Sequence, residues 1–148
     1  MRIAVGSDHA GYPLKQHIGE LLTNAGHAVV DVGTYSEEPV DYPDFAAAVG
    51  RAVLDGSVER GIVVCGSGAG ASIAANKLRG IRAGLAHDTY TAHQCVEHDD
   101  VNVLTLGSRV VGTALADEIV TAFVNASFSG VERHVRRVNK IKELEREF

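Results

Sequence analysis

Long apolar runs are missing from this chain, and so is any excess of positive charge. No stretch of its 148 residues approaches the ~20 consecutive apolar residues that cross a bilayer. Fourteen Lys and Arg stand against nineteen Asp and Glu, a formal net charge of −5. That balance argues against a nucleic-acid partner and against an anionic membrane surface. Cysteine is scarce: Cys65 and Cys95 are the only two, too few for a disulfide framework. A reducing, cytoplasmic setting is therefore expected, and the opening residues enter a strand pattern directly, with no leader-like segment. Repeats, low-complexity tracts and linkers are absent too. What remains, at 45% hydrophobic, has room for a full core and reads as one domain over 1–148.

The most informative stretch is Gly61-Ile62-Val63-Val64-Cys65-Gly66-Ser67-Gly68-Ala69-Gly70. The apolar run 62–64 reads as a buried parallel strand. It ends on a cysteine and a turn in which glycine recurs at every second position, followed at once by small helix formers. Glycines at 66, 68 and 70 let the backbone reach positive φ and gather N–H groups. Capped by the next helix, such a turn makes an anion hole of main-chain donors. A thiol at the lip of such a turn would meet positive potential, which suits it to act as nucleophile or base.

Around that turn, strands and helices alternate. Strands are expected over 3–6, 28–32, 62–64, 82–86 and 102–106. Helices are expected over 12–25, 45–54, 72–77, 89–98, 113–125 and 132–147, and 33–44 reads as a long loop. Apolar residues recur at helical spacing in the first helix (Leu14, Ile18, Leu22) and in the last (Val135, Val138, Ile141, Leu144). The pattern predicts an α/β fold: a three-layer α/β/α sandwich around a five-stranded parallel, Rossmann-like, doubly wound sheet. Sites in such sheets lie beyond the carboxyl ends of the strands. Those ends carry Asp8-His9, Cys65-Gly66-Ser67, His87 and Ser108-Arg109, which should converge on one rim.

Familiar nucleotide and phosphate motifs fit poorly. The 6–11 loop has phosphate-loop spacing but lacks the Lys-Ser/Thr of a Walker loop. Asp31 stands where a dinucleotide fold keeps its ribose acid, yet the first turn has no G-x-G-x-x-G. A phosphatase loop of Cys, five residues and Arg fails at Ala71. His93 and His98 diverge by roughly 140° on a helix, so no metal is expected from them with Cys95.

Several motifs do carry a resemblance: Gly6-Ser7-Asp8-His9-Ala10-Gly11, Asp31-Val32-Gly33-Thr34, Asp41-Tyr42-Pro43, the 65–70 turn, Ile73-Ala74-Ala75-Asn76-Lys77, Gly107-Ser108-Arg109-Val110-Val111-Gly112 and Arg133-His134-x-x-Arg137. In this order, and from end to end of the chain, they resemble the type B ribose-5-phosphate isomerases, a family that includes the galactose-6-phosphate isomerase subunits. The resemblance implies a cofactor-free aldose–ketose isomerase, acting on ribose 5-phosphate and ribulose 5-phosphate through a cis-enediolate. It makes Cys65 the base; where some relatives place a glutamate six residues on, this chain has Ala71. It assigns the enediolate oxygens to Ser67 and to the amides of Gly66, Gly68 and Gly70. Ring opening falls to His98, with Asp8 orienting sugar hydroxyls, Tyr42 lining the pocket and Asp99 beside the C1–C2 oxygens. Phosphate is assigned to Arg133, Arg137, His9 and Arg109, and the substrate's end to His134. The i, i+4 spacing of Arg133 and Arg137 independently lets two guanidiniums converge. The family's last helix crosses to a neighbouring subunit, so a homodimer with shared active sites is implied, with pairing into tetramers left open.

Three departures bear on the sugar. Asp99 stands where relatives commonly have asparagine, Gly130-Val131-Glu132 replaces a Gly-Gly before Arg-His, and His87-Asp88 adds a pair at a strand end. Erythrose 4-phosphate, allose 6-phosphate and galactose 6-phosphate therefore remain alternative substrates. A sugar-phosphate-binding subunit without turnover is the alternative of a different class.

Overall fold

A computed structural model describes residues Met1–Phe148. Five strands, β1 (Arg2–Ser7), β2 (Ala28–Asp31), β3 (Arg60–Cys65), β4 (Ala83–Leu85) and β5 (Val103–Gly107), form one sheet in the order β2-β1-β3-β5-β4. Every neighbouring pair is parallel. The helices are α1 (Tyr12–Asn24), α2 (Tyr42–Leu54), α3 (Ala69–Ala75), α4 (Thr89–Asp99), α5 (Thr113–Asn125) and α6 (Glu132–Glu147).

Alternation along the strands sends side chains to two cores, as a sheet covered on both faces requires. Ile3, Val5, Ile62, Val64, Leu104 and Leu106 face a layer of α1, α4 and α5. Ala4, Val63, Cys65 and Val103 face a thinner layer of α2 and α3. Ile62 and Val63 are fully buried, and such side chains each contribute ~1.5–3 kcal/mol of transfer free energy. The result is the expected three-layer α/β/α sandwich. Its chain reverses direction between β1, which feeds β2 on one side, and β3, which feeds β4 and β5 on the other. Crevices for ligands open at the carboxyl ends of strands flanking such a reversal.

The boundaries differ from the sequence expectation in ways that matter at the rim. Helix α2 begins at Tyr42, three residues early, because Pro43 occupies its first turn, Asp41 takes an extended N-cap conformation and Asp44 supplies the first-turn acid. Residues 42–44, expected in a loop, are thus helical. Helix α3 starts at Ala69 rather than Ser72, directly off the glycine turn. Strand β4 shortens to three residues, and its outer edge is met by Asn76: the Ala83 N–H donates to Asn76 Oδ1 at 2.8 Å, and Asn76 Nδ2 donates to the Ala83 carbonyl at 3.0 Å. Helix α6 packs along α4 and buries only His134 and Val138. No helix is long and apolar enough to cross a membrane.

Candidate active site

At the carboxyl edge, Cys65 closes the central strand β3 and the turn folds back over it. The Gly68 N–H donates to Cys65 Sγ at 3.1 Å, and the side chain is 4% exposed. Gly68 reaches φ +80°, and a Cβ there would stand 2.9 Å from the Leu106 carbonyl carbon, so both conformation and space demand glycine. The Ala69 N–H donates to Ser67 Oγ at 3.2 Å. The Gly66 and Ser67 N–H groups find no acceptor within the chain. Two main-chain donors beside a sulfur are thus available to a ligand's oxygens.

Neighbouring strand ends lock this turn in place. Ser108 and Arg109 donate their N–H groups to the carbonyls of Cys65 (2.9 Å) and Gly66 (3.0 Å), and the Arg109 guanidinium lies over Gly66. The Ser108 hydroxyl donates to the Ala10 carbonyl at 2.8 Å, and the Gly107 N–H donates to His87 Nε2 at 2.9 Å. Asp8 is buried; its Oδ1 accepts the Gly11 N–H at 2.9 Å, and its own N–H donates to Val64. His9 Nδ1 accepts the Val40 N–H at 3.1 Å. Tyr42 lays its ring against Gly70, where a Cβ would come within 2.6 Å of it. Asp8, His9, Tyr42, Cys65, the glycine turn, Ser67, His87 and Arg109 therefore do converge on one rim.

His98, Asp99, Arg133, His134 and Arg137 do not join them within one chain. Helix α4 runs back from the carboxyl edge, so its last turn, carrying His98 and Asp99, lies at the edge where the strands begin. There the His98 and His134 rings stack at 4.0 Å between centroids, 26° from parallel. Gln94 Nε2 donates to His98 Nδ1 at 2.9 Å, leaving the ring's proton on Nε2. Ser129 Oγ and His134 Nδ1 lie 2.6 Å apart, and the Ser129 N–H donates to the Glu97 carbonyl, tying the segment before α6 to α4. Burial, and then the nearby charges of His98, Arg133 and Arg137, hold the His134 pKa below the ordinary imidazole value. Arg136 pairs with Glu132 at 2.9 Å, while Arg133 and Arg137 are exposed and pair with no carboxylate. A groove of about 570 Å³ is also at this edge, between α6 and the β4–α4 side, and Asp99 and Cys95 line it. Burial, with Asp99 adding to it, pushes the Cys95 thiol up to about 11.

Sequence reasoning overlooked one buried charge. Lys15, with no exposed side-chain surface, donates from Nζ to Asp31 Oδ1 at 2.6 Å and to the Thr34 carbonyl at 2.5 Å. Its position among Leu14, Ile18 and Leu22 on the inward face of α1 was the signal that could have found it. Unpaired, a buried ammonium costs several kcal/mol, so these partners are what keep it there.

The alternation of parallel strands, the glycine turn and the polar rim at a chain reversal define a class, that of open parallel α/β sheets with a ligand crevice at the carboxyl edge. Residues 3–141 match the Ribose/Galactose Isomerase family, and the chain belongs to it. It is 47% identical over 144 residues to ribose-5-phosphate isomerase B of Escherichia coli, covering 97% of this chain and 96% of that one. Among solved structures it superposes on ribose-5-phosphate isomerase B of Clostridium thermocellum with a TM-score of 0.97, at 50% identity and with 99% of each chain covered. The Mycoplasma genitalium ribose-5-phosphate isomerase B, solved with bound ribulose 5-phosphate, superposes with a TM-score of 0.93 at 42% identity, covering 99% of this chain and 97% of that one.

Proposed function

We propose that this protein interconverts ribose 5-phosphate and ribulose 5-phosphate, with Cys65 as the base that moves the proton. The observation that carries the reading is the Cys65 sulfur at the end of the central strand, beside the unpartnered Gly66 and Ser67 amides. In the aldose-to-ketose direction, the thiolate takes the proton from C2. The C2–H electron pair becomes the C1–C2 double bond of a cis-enediolate, and the carbonyl oxygen at C1 gains the charge. The amides of Gly66, Ser67 and Gly70, with the Ser67 hydroxyl, hold that charge, while the Gly68 N–H, first assigned to the same oxygens, stays on the Cys65 sulfur. The thiol returns the proton to C1 while a proton passes from O2 to O1, so the atoms of substrate and product balance with no redox partner.

His98 opens the furanose ring, and Asp8 and Asp99 orient hydroxyls. His9, Arg109, Arg133 and Arg137 grip the phosphate, Tyr42 walls the pocket and His134 meets the substrate's end. Because His98 and the two arginines of α6 stand at the far edge of the sheet, they reach Cys65 only from a second copy. We therefore infer a homodimer in which α6 and the end of α4 of one protomer complete the site of the other. A cytoplasmic setting suits the two free thiols.

Incubation with ribose 5-phosphate in D2O tests the reading. Deuterium should enter C1 of the ketose and, by reversal, C2 of the recovered aldose. Saturable binding without ketose or exchange would instead make the protein a sugar-phosphate sensor. Comparing kcat/KM across four-, five- and six-carbon aldose phosphates ranks the sugars.

A further inference from the structure

The 33–41 loop is exposed from Tyr35 to Pro39 and is fastened at its two ends. At its exit Val40 donates to His9 Nδ1. At its entry Ser7 and residues 33–34 exchange main-chain bonds, and the Lys15 ammonium sits beneath. The ammonium donates to Asp31 Oδ1 and the Thr34 carbonyl and lies over the rings of Tyr12 and Tyr35, whose centroids are 5.3 and 5.2 Å from Nζ. Asp31 Oδ1 also accepts the Gly33 N–H at 2.9 Å, and the Tyr35 hydroxyl donates to the Asp31 carbonyl at 3.1 Å. Asp31, which sits where a nucleotide-binding fold would keep a ribose ligand, is thus spent on this lysine. Nothing in the proton transfer uses Lys15, and a methionine would fill the same space on α1 without a buried charge.

We propose that Lys15 is a positioning residue for His9. The clamp it makes with Asp31, Thr34, Tyr12 and Tyr35 sets the direction in which the loop leaves the sheet, and so brings the Val40 N–H onto His9 Nδ1. A main-chain N–H can only donate, so Nδ1 is held as an acceptor and the neutral ring's proton stays on Nε2. Nε2 has no partner in the chain, and its N–H is the group offered to the ligand's phosphate. The last step rests on the isomerase reading above; the clamp and the tautomer do not.

The test uses full-length Lys15→Met, with folding checked by the dispersion of its amide spectrum. Long-range 1H–15N correlation of the histidine rings, recorded without ligand, should show His9 as the Nε2–H tautomer in the wild type and as a mixture in K15M. With ribose 5-phosphate, K15M should raise KM about tenfold and leave kcat within about threefold, the pattern of lost uniform binding. In a His9→Ala background the same substitution should raise KM less than about twofold, since residues acting through one another are not additive. An unchanged tautomer in K15M, or an equal KM increase with and without His9, overturns the proposal. Should K15M not fold, Tyr35→Ala decides, because that side chain is 68% exposed and outside the core. It should move the tautomer the same way and raise KM about two- to threefold, and no movement in either refutes the clamp. A wild type that turns over no ribose 5-phosphate would sink the isomerase reading alone, because the ring measurement needs no substrate.

Discussion

At the carboxyl edge of the sheet the groups on offer are mostly main chain: a turn fixed by β5, two free amides and one sulfur. At the amino edge they are side chains on helix ends: two stacked imidazoles and two unpaired arginines, all on α4 and α6. The first set is bound into the core and held by bonds from three strand ends. The second is tied to the body through Ser129, Gln94 and the α4–α6 contact. Main-chain donors cost no side-chain entropy and suit a charge that develops in place. Arginines on a helix suit the capture of a phosphate that arrives already charged. Under the proposed function these two sets, at opposite edges of the sheet, are complementary half-sites.

The sharpest way to break this division is Cys65→Ala. It should cut kcat about a thousandfold and leave KM within about threefold, since only proton transfer is lost. Unchanged kcat would remove Cys65 from the chemistry. Mixing C65A with His98→Ala and refolding them together comes next. If sites are shared between copies, a heterodimer has one intact site of two, and an equal mixture regains about a quarter of wild-type activity. No recovery would place both groups in one protomer's site and contradict the half-site picture. Arg137→Ala should raise KM about tenfold with little change in kcat, because the phosphate is gripped alike in ground and transition states. A loss confined to kcat would move that arginine to the reacting end.

The smallest effect belongs to the stacked pair. The His134 pKa is lowered in the fold, so between that value and the ordinary ~6.5 the unfolded chain binds more protons. Its contribution to stability is full above ~6.5 and is lost as pH falls toward the folded value. Urea midpoints at pH 7.5 and 5.5 should therefore differ more for the wild type than for His134→Asn. Equal differences would mean that burial and the cationic neighbours do not act on this ring.

Much of the architecture was legible in the sequence. Apolar runs of strand length alternate with helical stripes, and the glycine turn marks the end of the central strand. Asp8, His9, Gly66, Ser67, His87 and Arg109 were legible for the same reason: each sits one or two positions after a strand, and Cys65 closes one. Asp41-Tyr42-Pro43-Asp44 resembles a turn in sequence, yet Pro43 serves the first turn of α2 as Pro13 serves that of α1. The stacking of His98 on His134 joins residues 36 apart, and no spacing rule reaches across two intervening elements. That these two lie far from Cys65 in one chain does follow from sequence order, because a helix after a parallel strand must run back along the sheet. Lys15 shows the opposite failure, a polar residue on an apolar stripe whose partners come from the next strand and loop.

The amide of Asn76 has a bearing on what the outer border of β4 can accept. By satisfying both polar groups of Ala83, it imitates a sixth strand one rung long along a border only three residues deep. A neighbouring strand seeking to prolong the ladder at this border finds its first rung taken, so strand addition beside β4 has little to start from.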